Sequence, residues 1–176
     1  MAAVAGVAAL TLGTTGTAFA SSTPSARPNG YAPTEECLNW SGSIEYFPGL
    51  TTTSHSVTAV VHGTLSNCNF DGTGQTYSGS VFGVLTGTAT RSAATLSGNV
   101  AVTWPADAGL EPTIAPISVT GGKSGAYSFY GTISAGAGTG EVLEGSFDKI
   151  GTAKVSGGTS ENILGSAPFG IFVNEG

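Results

Sequence analysis

Cys37-Leu38-Asn39-Trp40-Ser41-Gly42-Ser43-Ile44-Glu45-Tyr46 is the stretch from which the fold is read. Leu38, Trp40, Ile44 and Tyr46 share one parity, and Asn39, Ser41, Ser43 and Glu45 take the other. Successive side chains of a strand point to opposite faces, so this spacing predicts a strand with one buried side. Phe47-Pro48-Gly49 then turns the chain, because proline pre-sets φ and glycine accepts positive φ. A second strand follows, in which Val57, Ala59, Val61, Gly63 and Leu65 alternate with Ser56, Thr58, His62 and Thr64, interrupted by Val60. Antiparallel pairing of the two brings Cys37 to the far end of the second strand, beside Cys68.

The chain has two cysteines, so one intramolecular pairing exists. A crosslink closing a loop of about 30 residues contributes roughly 3–4 kcal/mol in the loop-entropy account. A zinc site needs more ligands than two cysteines and His62 supply, and a reactive thiol is out of place in an exported chain. The expectation is a structural disulfide between Cys37 and Cys68.

The same grammar recurs downstream. Tyr77, Gly79, Val81, Gly83, Leu85, Gly87 and Ala89 keep a period of two, with Phe82 and Val84 on the other face, as a central or covered strand would. Leu96, Gly98, Val100, Val102 and Trp104 form another strand, ended by Pro105. Residues 114–120 are strand-like, although Pro116 lacks a ladder donor and favours an edge. Tyr127, Phe129, Gly131, Ile133 and Ala135 follow the turn at residues 121–125, and a glycine-rich connection at 136–140 leads to Val142, Leu143, Gly145 and Phe147. Ala153 and Val155 suggest a short strand, and Phe169, Ile171 and Val173 a last one that closes the sheet. The fold class is therefore all-β, with about eight antiparallel strands in a sandwich or a closed meander barrel. Trp40, Tyr46, Trp104 and Phe129 are the expected core, and the glycines inside strands fit sharp curvature or a facing aromatic ring.

Ahead of this single β domain, taken as residues 36–176, stand two segments. Residues 1–20 are small and apolar and end Ala18-Phe19-Ala20 before Ser21-Ser22, the form of a signal-peptidase site, although no Lys or Arg precedes the apolar run. Residues 21–35 are proline-bearing and poor in aliphatic side chains, the composition of a flexible arm. Around Tyr31 such an arm is suited to engage a partner by adding a strand. No run is long enough and apolar enough to span a bilayer as a helix, so the expected location is secreted and extracellular.

Composition narrows the partners. Charged residues make up only 9% of the chain and the formal net charge is −6, so the clustered Lys and Arg on which phosphate recognition depends are missing and nucleic acid is excluded as a partner. Asp71 lies in a turn at 69–74 without the repeated acids that calcium requires. The glycines at 136–140 precede no helix and so do not form a phosphate cradle. No cofactor or metal site is expected.

His55 and His62, the two histidines, flank no nucleophile motif and read as surface residues. Glu45, Asp71, Glu141 and Glu144 are the carboxylates open to a glycosidase, but no spacing pairs any two. A carbohydrate-binding face would use the off-parity rings Phe82 and Tyr130, with Phe47 and Phe70 near turns. The competing reading, a second core layer of a sandwich, takes precedence for these rings.

Three pieces carry a family likeness: Cys37-Leu38-Asn39-Trp40-Ser41-Gly42, Leu65-Ser66-Asn67-Cys68 and Gly131-Thr132-Ile133-Ser134-Ala135-Gly136. In these the region after the leader resembles a group of small secreted, β-rich proteins of actinobacteria. The resemblance implies export and an all-β fold, and it transfers no activity to any residue. The functional expectation is a secreted, non-enzymatic binding or interaction domain, one subunit of an extracellular protein assembly. The alternative is a protein binding carbohydrate or cell-wall polysaccharide, or a weak hydrolase. A protease-inhibitor loop at residues 105–113 carries no specific mark.

Overall fold

Each apolar period of two becomes a strand in the computed structural model, which describes residues 35–69, 74–122, 126–165 and 169–172. The strands are β1 (Glu35–Phe47), β2 (His55–Asn69), β3 (Thr76–Ala89), β4 (Ala94–Thr103), β5 (Thr113–Gly121), β6 (Ala126–Thr132), β7 (Val142–Val155), β8 (Gly158–Gly165) and β9 (Phe169–Phe172). A single 3-10 turn, Ala106–Ala108, interrupts the β4–β5 connection. Every sequential pair from β1 to β8 is antiparallel and adjacent, and Ser41–Tyr46 of β1 pairs in turn with Thr159–Leu164 of β8. The sheet is therefore an eight-stranded meander closed into a barrel, and of the two architectures the pattern allowed, the sandwich is set aside. β9 continues in the slot of β8, pairing Glu35–Cys37 on one side and Val142–Glu144 on the other.

The inward parity is the apolar one. Trp40, Ile44, Tyr46, Val57, Ala59, Val61, Leu65, Val81, Leu85, Leu96, Val100 and Val102 are buried, as are Trp104 and Phe129. Eight strands enclose an interior that side chains can fill, and here four rings do most of the filling. Trp40 meets Phe147 edge-on at 5.1 Å and Phe129 at 5.7 Å, while Tyr127 stacks on Phe147 at 5.0 Å. Inward-facing glycines make the room. A Cβ on Gly145 would come within 2.5 Å of the Phe129 ring, one on Gly79 within 2.9 Å of Trp104, and one on Gly165 would strike Trp40. The space left is an apolar cavity of about 30 Å³.

Four expectations are corrected. Leu38 is 61% exposed rather than inward, and Cys37 is buried instead. The cause is local: Asn67, which stands opposite, adopts φ 54°, and the β2–β3 register slips between Leu65 and Cys68, so the parity of both strands changes between Trp40 and the cystine. Pro116 does not mark an edge, because a closed barrel has none. Its missing donor falls at a gap in the β5–β6 pairing, between the ladder that begins at Ile117 and the single bridge Ile114–Ala135. Ala153 and Val155 are not a separate strand but the end of β7, which runs fourteen residues through a bulge at Lys149–Gly151. Of the two readings of β3, central or covered, the first holds, since it lies between β2 and β4, and the second does not, since its outer face is uncovered at Phe82 and Val84.

The disulfide forms as expected. Cys37 and Cys68 are direct cross-strand partners, bonded, with Cα atoms 3.8 Å apart and both side chains buried. They lie at the end of the barrel where β9 joins β1. At that end Trp104 Nε1 donates to Thr113 Oγ1, which donates to the Ala137 carbonyl and so ties down the glycine-rich 136–140 connection. At the opposite end the 48–54 loop is held by Leu50 N–H donating to Thr159 Oγ1 and by Arg91 N–H donating to the Thr51 carbonyl. The leader at 1–20, the arm with Tyr31, Phe70, Asp71 and Val173 lie outside the described residues.

Candidate functional site

With the interior filled, the surfaces open to a ligand are the outer wall and the ends. The outer wall follows from strand parity: the residues that alternate with the core point to solvent. On β2 through β6 most of these are Ser and Thr, and the five strands contain no Asp, Glu, Lys or Arg. Among the described residues between Tyr46 and Gly140, the charged ones, Arg91, Asp107 and Glu111, fall between strands. Strand charges are confined to β1, β7 and β8.

Register sorts this wall into rows. Thr58, Thr86, Ser97 and Ser118 are consecutive cross-strand partners from β2 to β5, and the row ends on β6 at Tyr130. Two residues further along, Ser56, Thr88, Thr95, Thr120 and Ser128 repeat the arrangement, with Thr120 and Ser128 hydroxyls 3.3 Å apart. On the other side, Ser41, Thr64, Ser80 and Thr103 form a further hydroxyl row from β1 to β4. Between the two sets lies an apolar strip. Phe82 stands between His62 and Ala101, with Ile114 beyond, and Val84 stands between Val60 and Asn99. The Phe82 ring is 5.2 Å from the His62 ring, tilted by 59°.

Phe82 is 51% exposed and Tyr130 55%, so neither belongs to a second core layer, and that reading is overturned. The physical reason is closure: a barrel has one interior, and the outward parity has nothing to pack against. The two rings share the wall but are not brought together, since two strands, β4 and β5, separate β3 from β6. Phe47 is half-buried at the barrel end, beside a shallow open depression of about 500 Å³ that Pro48, Ser56, Thr58, Thr86 and Thr88 also line.

A second polar group sits inside the barrel, under the 48–54 end. Glu161 points inward and is 1% exposed; Lys149 Nζ, 3.1 Å from its Oε1, also donates to the Arg91 carbonyl, and Tyr127 donates to its Oε2 at 3.3 Å. Burial, with the Glu161 carboxylate beside it, pushes the Tyr127 phenol up to about 12, and the deeper Tyr46 is raised further by the same causes. The Tyr46 hydroxyl has no hydrogen bond of good geometry among the described residues. The cluster closes the barrel end electrostatically, with its acid and both phenols buried, so it is structural. The signal that points to it, an acid within an apolar parity, is hidden because β8 has too few aliphatic residues to read as a strand.

The remaining sequence-selected residues do not assemble. His55 Nδ1 lies 3.1 Å from the Thr53 carbonyl in the turn, whereas His62 is on the wall. Glu45 and Glu144 are on β1 and β7, and the β8 register sets Glu45 level with Ala153, well along the strand from Glu144. Glu141 lies in the β6–β7 connection, where partial burial raises its carboxyl above the usual range. Among the described residues no three His, Cys, Asp or Glu side chains gather as a metal site, and no helix is long and apolar enough to cross a membrane. The barrel's own polarity, apolar inside and hydroxyl-lined outside, is the reverse of a membrane-spanning barrel. No family model, curated protein or solved structure matches the chain.

Proposed function

We propose that the protein is a secreted, non-enzymatic binding domain that engages its partner through the outer wall of β2–β6. The observation that carries this reading is the pairing of a filled interior, with a cavity of about 30 Å³, and an uncharged wall on which Phe82 and Tyr130 stand half exposed. Exposed aromatic rings on a surface otherwise built of small polar groups are the usual anchors of recognition. The disulfide and the leader-like residues 1–20 are consistent with an extracellular setting. Membership of a secreted assembly, with the arm around Tyr31 as a second contact, belongs to the same reading.

The test is recovery of the C-terminally tagged protein from culture fluid and cell wall of its native host, comparing the parent with a Phe82→Glu, Tyr130→Glu variant. The expected result is a bound species recovered with the parent and lost from the variant, while both keep the disulfide and the same circular dichroism. Equal recovery by both would remove the wall from the account. The specific observation favouring carbohydrate among possible partners is the hydroxyl rows that border Phe82.

A further inference from the structure

We infer that the Phe82 strip is a binding site for a neutral polysaccharide chain laid across strands β2 to β5. The inference rests on the extracellular binding role proposed above and names the chemistry of the ligand.

Three observations converge on it. Charge comes first: the wall has no ionic side chain on its five strands, whereas the molecule as a whole carries −6. An anionic polymer is repelled by the whole and finds no cation on the wall, and a cationic partner finds no carboxylate there; an uncharged partner loses nothing by the match. Shape comes second. Phe82 and Val84 project from one strand; Ala101 and Ile114 extend the strip sideways level with Phe82, and Val60 extends it level with Val84, with His62 and Asn99 as its polar members. Four strands at their usual spacing give this strip a length of about 14 Å, room for a short run of sugar rings. Hydrogen bonding comes third. A pyranose has apolar C–H faces and a periphery of hydroxyls that both donate and accept. The strip offers a ring for the face, and hydroxyl rows border it on both sides: Thr64, Ser80 and Thr103 on one, Thr58, Thr86 and Ser97 on the other. Ser and Thr hydroxyls likewise donate and accept, so either orientation of a sugar hydroxyl is met. A protein partner of ordinary affinity would instead favour a broader apolar centre with Arg or Trp anchors, and this wall has neither.

The experiment is depletion of the purified protein by insoluble cellulose, chitin and mannan, with polygalacturonate as an anionic control and sedimentation of the free protein alongside. At least one neutral polymer is expected to deplete the parent. Phe82→Ala and, independently, Thr86→Glu are expected to weaken that binding about tenfold or more, and Ile150→Ser, an exposed change on β7, to leave it unchanged. Both wall positions are solvent-exposed, and an intact disulfide and unchanged circular dichroism verify the fold. Three outcomes overturn the inference: no depletion by any of the neutral polymers, depletion indifferent to Phe82 and Thr86, or a dimer in solution that Phe82→Ala dissolves. If the neutral polymers fail while recovery from culture still depends on Phe82 and Tyr130, the ligand class is wrong and the binding role stands. If both fail, both fall.

Discussion

Gly145 and Phe129 illustrate how single residues set the interior. The tip of the ring lies over the glycine of the neighbouring strand, where a methyl group would stand 2.5 Å from its Cζ. Gly145→Ala is therefore expected to cost about 1–3 kcal/mol through displacement of the ring, read as a lower urea midpoint with unchanged slope. An unaltered midpoint would mean that the ring does not sit there. Lys149 makes a different kind of contribution, because it keeps company with a carboxylate that has no other cation within reach among the described residues. Lys149→Met is expected to cost about 2–3 kcal/mol, less than for a fully buried pair because the ammonium reaches water. Adding Glu161→Gln should recover most of the loss, since the uncompensated charge is then gone. No recovery would show that Lys149 acts through packing of its stem.

At the scale of elements, the β1–β2 hairpin is the piece that the cystine holds. Cys37 and Cys68 are the penultimate pair of the β1–β2 ladder, followed by Glu36–Asn69, and β9 docks on β1 at the same place. Replacing both cysteines by alanine should lower stability by about 3–4 kcal/mol, and amide exchange should rise first at Glu35–Cys37 and Phe169–Phe172, with the Ile44–Val61 region still protected. Uniform loss of protection would place the cystine's effect wholly on the unfolded chain. The intact mass of the parent, two hydrogens below the dithiol form, checks the bond itself.

For the whole molecule, closure puts two phenols where water does not reach. Folding binds the protons of Tyr46 and Tyr127 more tightly than the unfolded chain does, so this part of the stability is complete below the ordinary phenol value of about 10. The part due to Tyr127 is lost as pH rises through about 12, and that of the more strongly raised Tyr46 at higher pH still. Ultraviolet titration of the five tyrosines should show two that ionise only with alkaline unfolding; five ionising together near 10 in the folded protein would open the barrel end. Closure also leaves no room for a guest. Fatty acids, retinoids and similar apolar molecules should give no thermal stabilisation, because a cavity of about 30 Å³ is the size of one water.

The sequence by itself determined which residues face inward over most of β1 to β6, because alternation of Val, Leu, Ile and aromatic side chains with Ser and Thr is a local signal that each strand carries alone. It determined the Cys37–Cys68 pairing too, since two cysteines at the far ends of one hairpin allow a single intramolecular bond, whereas the register, centred on residues 52 and 53 rather than on Pro48-Gly49, belongs to the folded loop. β8 was not legible: among its residues Gly158–Gly165 only Ile163 and Leu164 are aliphatic, and its inward row passes through Glu161, a residue that reads as solvent-facing until Lys149 and Tyr127 are seen around it. The choice between sandwich and barrel was not legible either, because it depends on the pairing of Ser41–Tyr46 with Thr159–Leu164, two segments far apart in the chain whose hydrogen-bonding groups are the same as any others. The candidate site shows the same division. Phe82, Tyr130 and the uncharged strands are all written in the sequence, but their exposure and their assembly into one wall were decided by closure, which gives the barrel a single interior and turns every second residue of five neighbouring strands to the same side.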